Sequence, residues 1–112
     1  MTEKKEKMGP EALEKLAGVF KVLGDGGRLA LLQELKEGET TVGDLIERTG
    51  QGQAMVSKNL KAMRDAGLLK RRKEGVYVYY RVDDPLVFEL CELVCGKLSR
   101  DQRAWGGIEY FI

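Results

Sequence analysis

Residues 41–82 decide the fold, and they read TVGDLIERTGQGQAMVSKNLKAMRDAGLLKRRKEGVYVYYRV. A helical hydrophobic period runs through the first part of this stretch, and strict alternation replaces it in the last part. Thr41 followed by Asp44 has the form of a capping box, which predicts a short helix that ends at Gly50. A tight glycine-containing turn then leads into a second helix over residues 53–67. This order predicts a helix-turn-helix.

The second of these helices has a narrow apolar face and a basic outer face. Val56, Leu60 and Met63 lie within about 60° of one another when each residue turns the helix by about 100°. We expect the N-terminal end of the helix to enter a DNA major groove, where glutamine can pair with adenine and lysine can reach guanine. The candidate DNA contacts on this helix are Gln53, Ala54, Met55, Ser57 and Lys58, with Lys61 and Arg64 further along at phosphates.

The alternating stretch predicts a β-hairpin that acts as a wing. Leu69 to Glu74 form its first strand and Val76 to Val82 its second, joined at Glu74-Gly75. Basic side chains are concentrated on the first strand, and we expect them to lie along the DNA backbone. The candidate contacts of the wing are Lys70, Arg71, Arg72, Lys73 and Tyr77; Tyr77 and Tyr79 can instead serve only in packing.

The distribution of charge supports a nucleic-acid partner. The 112 residues include 19 basic and 18 acidic side chains, a net charge of +1. Residues 54–74 alone hold seven basic and two acidic side chains, whereas the segments before and after them are net negative. Positive charge concentrated in one segment of a near-neutral chain is an electrostatic footprint for a polyanion, although a solvated helix face has the same pattern.

Helical patterns flank this region on both sides. Gly9-Pro10 opens a first helix, the glycine-rich stretch 24–27 breaks it, and a second helix stops near Glu37-Gly38. Asp84-Pro85 starts a fifth helix that is apolar on more than one side up to Leu98, which predicts contact with a partner subunit. The predicted fold class is mainly α with a small β-hairpin: a dimeric winged helix-turn-helix of five helices and a two-stranded wing. Its expected parts are a flexible arm (1–9), the domain (10–99) and a tail (100–112).

Composition excludes several classes of function. The chain has no histidine, which removes the commonest general base and the commonest zinc ligand. We find no nucleophile–base pair and no phosphate-cradling glycine loop after a strand, so we expect no enzyme. No apolar run approaches the ~20 residues of a membrane helix, and no secretion signal follows the charged N-terminus, so we expect a cytoplasmic protein without a membrane partner. The competing class is a winged-helix module whose basic hairpin meets an acidic protein.

These motifs together resemble the ArsR/SmtB group of winged-helix repressors. The resemblance covers residues 12–98 in unbroken order, with Asn59 where a histidine is usual and an unusually glycine-rich first loop. The matching segments are Phe20–Leu29, Thr41–Leu45, Val56–Lys61, Ala66–Leu69 and Gly75–Val82. The resemblance implies a homodimer held by the first and last helices. It also implies binding to double-stranded operator DNA at an inverted repeat, with release when an inducer binds.

The resemblance leaves the inducer open, because three sensing sites familiar in this group are absent or broken here. The positions that carry metal ligands or a sensing cysteine in other members are occupied by Gln33, Thr41, Gly43, Leu86, Lys97 and Arg100, and only Asp84 is retained.

Cys91 and Cys95 remain as a candidate sensing pair. Four residues apart on a helix, they share one face with Cβ atoms about 5–6 Å apart, so both sulfurs can converge on one soft ion. A disulfide needs Cβ atoms about 3.8 Å apart and is less natural. The candidate inducers are trivalent arsenic or antimony and, less favoured, cadmium or lead. The alternatives are an oxidation or persulfide switch, or two small core residues that sense nothing.

Overall fold

The computed structural model describes residues 6–102 and 108–112. Its helices and strands in chain order are α1 (Pro10–Leu23), α2 (Gly26–Leu35), β1 (Thr40–Thr41), α3 (Val42–Thr49), α4 (Gln53–Asp65), β2 (Leu69–Glu74), β3 (Tyr77–Val82) and α5 (Leu86–Gln102). The strands form one antiparallel sheet in the order β1-β3-β2. The predicted winged helix-turn-helix fold is confirmed. Within the described residues, no helix is long and apolar enough to cross a membrane.

The core lies where α2, α3 and α4 meet the base of the sheet. Among the described residues, the most deeply buried side chains are Leu31, Leu32, Leu45, Val56, Leu60 and Met63. Leu69 and Tyr80 join this cluster from the sheet, and Val87 joins it from α5. Burying a side chain of this kind contributes about 1.5–3 kcal/mol. Because α4 supplies three of the most buried residues, its orientation is fixed by the core.

The ends of α3 follow the predicted signals. The Asp44 backbone N–H donates to Thr41 Oγ1 over 3.1 Å, which is the first half of the expected capping box. At the other end, Gly50 has φ +72° and its N–H donates to the Ile46 carbonyl over 2.9 Å. A left-handed residue at this position closes the helix, and glycine adopts it without steric cost. The turn between α3 and α4 is therefore encoded locally.

The beginning of α5 also matches its sequence signal. The Leu86 N–H donates to Asp84 Oδ1 over 2.9 Å, and the Pro85 carbonyl accepts from the Phe88 N–H over 2.9 Å. Asp84, the one residue retained from a metal site of the resembled group, thus caps a helix here.

Several predicted boundaries were wrong. Gly26 and Gly27 belong to the first turn of α2, because Asp25 caps that helix by accepting from the Arg28 N–H over 3.0 Å. The hairpin turn lies at Gly75-Val76, so β3 begins one residue later than predicted and Val76 is 88% exposed at the tip.

Two further differences lie outside the hairpin. Strand β1 was not predicted, because two residues carry no readable alternation. Helix α5 continues through Gln102, so residues 100–102 are helical rather than part of the tail. The predicted arm and tail fall partly on residues 1–5 and 103–107, which lie outside the described residues.

Gly43 in α3 and Gly50 at its C-terminal end offer a matched test of whether local sequence determines the limits of this helix. Gly50→Ala is expected to lower the free energy of unfolding by about 1–2 kcal/mol, because alanine is strained at positive φ. Gly43→Ala is expected to raise it by about 0.5–1 kcal/mol, because Gly43 is helical and an added Cβ meets only Thr41 Oγ1 at 3.9 Å. Urea unfolding of both variants measures the difference, and a change of the same sign in both would contradict the assignment.

Candidate DNA-binding surface

Helix α4 buries one face and exposes the other. Val56, Leu60 and Met63 are buried as predicted, and Asn59 is buried beside them. The candidate base contacts Gln53, Ala54, Met55, Ser57 and Lys58 are all exposed, as is Lys61, whereas Arg64 is half-buried. Gly52 precedes the helix without a side-chain cap, so the first backbone N–H groups of α4 and the positive end of its dipole face outward. This end of the helix is suited to approach DNA.

Asn59 ties the exposed helix to the rest of the domain, a role that sequence reasoning missed. The Arg28 Nε–H donates to Asn59 Oδ1 over 3.3 Å, and Arg28 Nη1 donates to the Val22 carbonyl over 3.2 Å. These bonds connect α4 to α2 and α1. The only sequence signal was the departure from the histidine usual at this position.

The same cluster explains the glycine at position 27. Gln51 Nε2 donates to the Gly27 carbonyl over 2.9 Å, which joins the turn before α4 to the start of α2. A Cβ at Gly27 would lie 3.2 Å from Asp25 Oδ2 and 3.3 Å from Asn59 Nδ2. Contacts this close require neighbouring atoms to move, so a side chain at position 27 would disturb the packing of α2 against α4.

The register of the wing divides its basic residues between two faces. Arg71 pairs with Tyr80 and Lys73 with Val78, so these two basic residues lie on the face that carries the core residues of the sheet. Lys70, Arg72 and Glu74 lie on the opposite face, across from Arg81, Tyr79 and Tyr77 respectively. Tyr77 is exposed, 6.5 Å from Tyr79 between ring centroids.

Arg72 is held by carboxylates of the protein itself. Its Nε donates to both Glu39 oxygens over 3.0 Å, its Nη1 donates to Glu74 Oε2 over 2.7 Å, and its guanidinium lies 4.5 Å from the Tyr79 ring centroid. Hydrogen bonding from Arg72 lowers the pKa of the Glu39 carboxyl below its ordinary value, and the same bonds raise the pKa of the Arg72 guanidinium. Any phosphate contact of Arg72 must therefore compete with these carboxylates.

The other basic residues that are predicted to contact DNA also differ in whether a carboxylate of the protein pairs with them. Lys70 lies 3.6 Å from an Asp83 oxygen, and Lys61 pairs with Asp65 over 2.8 Å. Exposed pairs of this kind contribute little to stability, but they neutralise charge that DNA would otherwise meet. Over the ranges 6–102 and 108–112, four predicted contacts form no ion pair with a carboxylate: Lys58, Arg64, Arg71 and Lys73.

Cys91 and Cys95 both lie on the wall of one cavity beside α5. Cys91 is buried and Cys95 is half-buried, and both are free thiols. Burial, with a smaller effect of Cys95, raises the pKa of the Cys91 thiol above its ordinary value. Within the described residues, no group of three or more metal-ligating side chains comes together. Within the described part of one chain, the two cysteines are therefore not joined by a third ligating side chain.

Helices α1 and α5 both expose apolar side chains. Leu93 is 73% exposed and Leu86 is 61% exposed, and exposed apolar residues mark an interaction site when they form a patch. We call this surface the α1/α5 face; its exposed apolar residues are Leu13, Leu16, Phe20, Leu86, Leu93, Val94 and Leu98. Its position matches the prediction that the last helix meets a partner subunit.

Comparison with known proteins gives the family. Residues 25–71 match the model of the bacterial regulatory proteins of the arsR family. An HTH-type transcriptional regulator from Methanocaldococcus jannaschii is 38% identical over 85 residues, which cover 75% of this chain and 96% of the relative. The chain belongs to the ArsR family. It is a winged helix-turn-helix DNA-binding regulator.

Two further comparisons bear on function. The arsenical resistance operon repressor of Escherichia coli is 42% identical over 65 residues, covering 57% of this chain and 56% of that protein. The solution structure of a homodimeric winged helix-turn-helix DNA-binding domain from Mycobacterium bovis has a TM-score of 0.72 and 31% identity, with 91% of this chain and 93% of that chain covered.

Arg71 and Arg72 lie on opposite faces of the wing, and we expect their substitutions to affect DNA binding differently. Arg71→Ala is expected to weaken binding to all DNA sequences about equally and to reduce the salt slope of the binding constant by about 1, because no carboxylate of the described residues pairs with it. Arg72→Ala is expected to change that slope by less than half as much, since Glu39 and Glu74 already neutralise its guanidinium. Fluorescence anisotropy across a salt series measures both, and a larger slope change for Arg72→Ala would show that DNA displaces the carboxylates.

Proposed function

We propose that this chain is a homodimeric transcriptional repressor that binds an inverted-repeat operator in the cytoplasm. The observation that carries the proposal is the presentation of α4: its inner face is buried in the core, and its N-terminal end exposes a glutamine, a serine and a lysine beside the wing. Side chains held on a rigid helix can read base edges in the major groove. Lys58, which forms no ion pair within the described ranges, is our preferred base contact. No enzymatic role is proposed.

Dimerisation is proposed through the α1/α5 face. An apolar surface of this extent is unfavourable in water, and a second copy of the same chain offers a matching surface. The structural relative from Mycobacterium bovis is homodimeric, which supports this choice. Two copies of α4 in such a dimer fill successive major grooves when they lie about 34–36 Å apart. An inverted-repeat operator follows from that symmetry.

The proposed inducer is a thiophilic element bound at Cys91 and Cys95. Trivalent arsenic or antimony is preferred, and cadmium or lead is the weaker candidate, because two thiolates select soft ions. The similarity to the arsenical resistance operon repressor of Escherichia coli supports this choice of inducer. The raised pKa of the Cys91 thiol lowers its thiolate fraction, which disfavours oxidation, persulfide formation and metal binding alike, so the oxidation or persulfide switch remains the alternative. Inducer binding would shift α5 against α1 and change the spacing of the two α4 helices.

Operator binding is tested with the reduced protein on the DNA upstream of its own gene. Anisotropy titration is expected to show binding at least about a thousandfold tighter to upstream DNA than to a scrambled sequence of the same length. Lys58→Ala is expected to reduce that ratio by about tenfold while leaving scrambled DNA nearly unaffected, because the lysine is assigned to bases. Glu47→Ala, an exposed change on α3, serves as the control. Equal binding to both DNAs would favour the competing class, a module that meets an acidic protein.

The dimer is tested by placing a charge in the α1/α5 face. Leu93→Glu is expected to give a monomer and to weaken operator binding at least about a hundredfold, because the two half-sites are no longer linked. Gln33→Glu places the same charge on an exposed position of α2 and is expected to change neither property. Analytical ultracentrifugation gives the mass, and a Leu93→Glu variant that remains dimeric would rule out this face.

A further inference from the structure

Asn59 is a polar residue at a position of α4 that the hydrophobic core would otherwise fill. It lies between Val56 and Met63 on the buried face of the helix and is 3% exposed. Among the described residues, Thr40 is the only other polar side chain that is buried to this degree. An apolar side chain at position 59 would add to the core, whereas a buried amide is costly unless it is hydrogen-bonded. Stability alone therefore does not explain the asparagine.

A single arginine connects Asn59 to another helix. The Arg28 Nε–H donates to Asn59 Oδ1 over 3.3 Å, and Nη1 of the same guanidinium donates to the Val22 carbonyl over 3.2 Å. Val22 lies in the last turn of α1, where backbone carbonyls have no partner within the helix. A guanidinium is planar, so its donors point in fixed directions. One rigid group therefore fixes the middle of α4 relative to the C-terminal end of α1.

A second contact holds α4 near its N-terminal end. Gln51 lies two residues before the helix, and its Nε2 donates to the Gly27 carbonyl in the first turn of α2 over 2.9 Å. Asn59 is six residues into the helix, which is about 9 Å along its axis. Two separated points of attachment restrict the tilt of α4 as well as its distance from α2. We call these groups the Arg28 cluster, formed by Val22, Asp25, Gly27, Arg28, Gln51 and Asn59.

Apolar packing and hydrogen bonds restrict α4 in different ways. Burial of Val56, Leu60 and Met63 fixes which face of the helix points inward. The hydrophobic effect has no direction, however, and a core loses its unique arrangement before it loses its stability. Hydrogen bonds weaken steeply when their angles change. The Arg28 cluster therefore fixes the axial position and tilt of α4 more strictly than the core does.

From this arrangement we infer that Arg28 and Asn59 are positioning residues for operator recognition, which carry the orientation of α1 to the helix that reads DNA. The inference rests on the proposed function, because α1 belongs to the proposed subunit contact. In the dimer, the cluster keeps the two α4 helices at the separation of about 34–36 Å that successive major grooves require. Neither side chain has to touch DNA for this role, since Asn59 is buried and Arg28 is half-buried.

A small displacement of α4 is enough to affect recognition. Base pairs follow one another about every 3.4 Å along the duplex, so a change of that size in the helix separation moves one α4 by one base pair. Binding to the operator depends on this register. Binding to scrambled DNA depends on the total charge of the protein and not on the register. Loss of the cluster is therefore expected to weaken specific binding selectively.

Arg28→Lys and Asn59→Leu test the inference in the full chain. Lysine keeps the charge but lacks the planar fork that joins Asn59 to Val22, and leucine replaces the acceptor by an apolar group. A nitroxide carried by an unnatural amino acid at Lys61, exposed on α4, reports the distance between the two copies of the helix by pulsed electron resonance. Wild type is expected to give one narrow distance distribution. Both variants are expected to double its width or to shift its mean by about 3 Å.

DNA binding is measured by anisotropy on the unlabelled chains. Each variant is expected to lose at least about tenfold in affinity for the operator and to bind scrambled DNA within about twofold of wild type. Circular dichroism melting checks that each variant is folded at the assay temperature. Asn59→Leu is expected to stay folded because it extends the apolar face of α4, so its weaker operator binding separates positioning from stability.

Two neighbouring glycines allow a test that changes neither Arg28 nor Asn59. A Cβ at Gly27 would lie 3.2 Å from Asp25 Oδ2 and 3.3 Å from Asn59 Nδ2, whereas a Cβ at Gly26 meets no atom within 4 Å. Both positions lie in the first turn of α2, so alanine changes the helix propensity equally. Gly27→Ala is expected to displace the cluster and to reproduce the loss of operator affinity, and Gly26→Ala is expected to bind as wild type does.

The inference and the proposed function fail separately. If the Arg28→Lys and Asn59→Leu dimers keep the wild-type distance distribution and operator affinity, the inference is overturned and the repressor stands. Equal weakening on operator and scrambled DNA would also overturn the inference, because it would show a loss of charge or of folding. A wild-type chain that gives no distance between two labels would instead overturn the proposed dimer.

Discussion

Burial of one narrow face of α4 is the constraint on which the rest of the structure depends. Val56, Leu60 and Met63 are inaccessible to water, and they pack with leucines of α2 and α3. Burying each such side chain contributes about 1.5–3 kcal/mol to the stability of the fold. Rotating α4 about its axis would expose these side chains and lose that contribution. The opposite face is therefore held in one orientation, and its polar and basic residues are exposed.

The wing is attached to the same core, which fixes its position relative to α4. Leu69 and Tyr80 are buried in the cluster that holds α4, and β1 pairs with β3 on the other side. Ion pairs within the protein partly neutralise the positive charge of the wing. Glu39 approaches Arg72 from 33 residues away, so the outer face of the hairpin is less positive than its composition indicates. Among the described residues, the basic side chains of the first wing strand that no carboxylate pairs with are Arg71 and Lys73.

Helix α5 has two different apolar surroundings, which explains why its sequence is apolar on more than one side. Val87 and Cys91 face inward, and the exposed leucines face away from the domain. The thiol-lined cavity lies between these two surfaces. The same helix therefore borders the core, the cavity and the proposed subunit contact.

The sequence by itself determined the parts of this protein that depend on residues close together in the chain. The cap at Thr41, the left-handed end at Gly50, the buried stripe of α4 and the alternation of β3 are readable because capping, helical and strand periods extend over only a few residues. The resemblance to the family depended on the order of such local motifs.

Only the tertiary structure decided the features that join distant residues. The Arg28–Asn59 bond spans 31 positions and the Arg72–Glu39 pair spans 33, and no local period encodes either contact. The short strand β1 exists only because β3 lies beside it. Likewise, the sequence placed two thiols on one helical face, but the apolar cavity before them is formed by residues from α1, α2 and the segment 109–112, which only folding brings together.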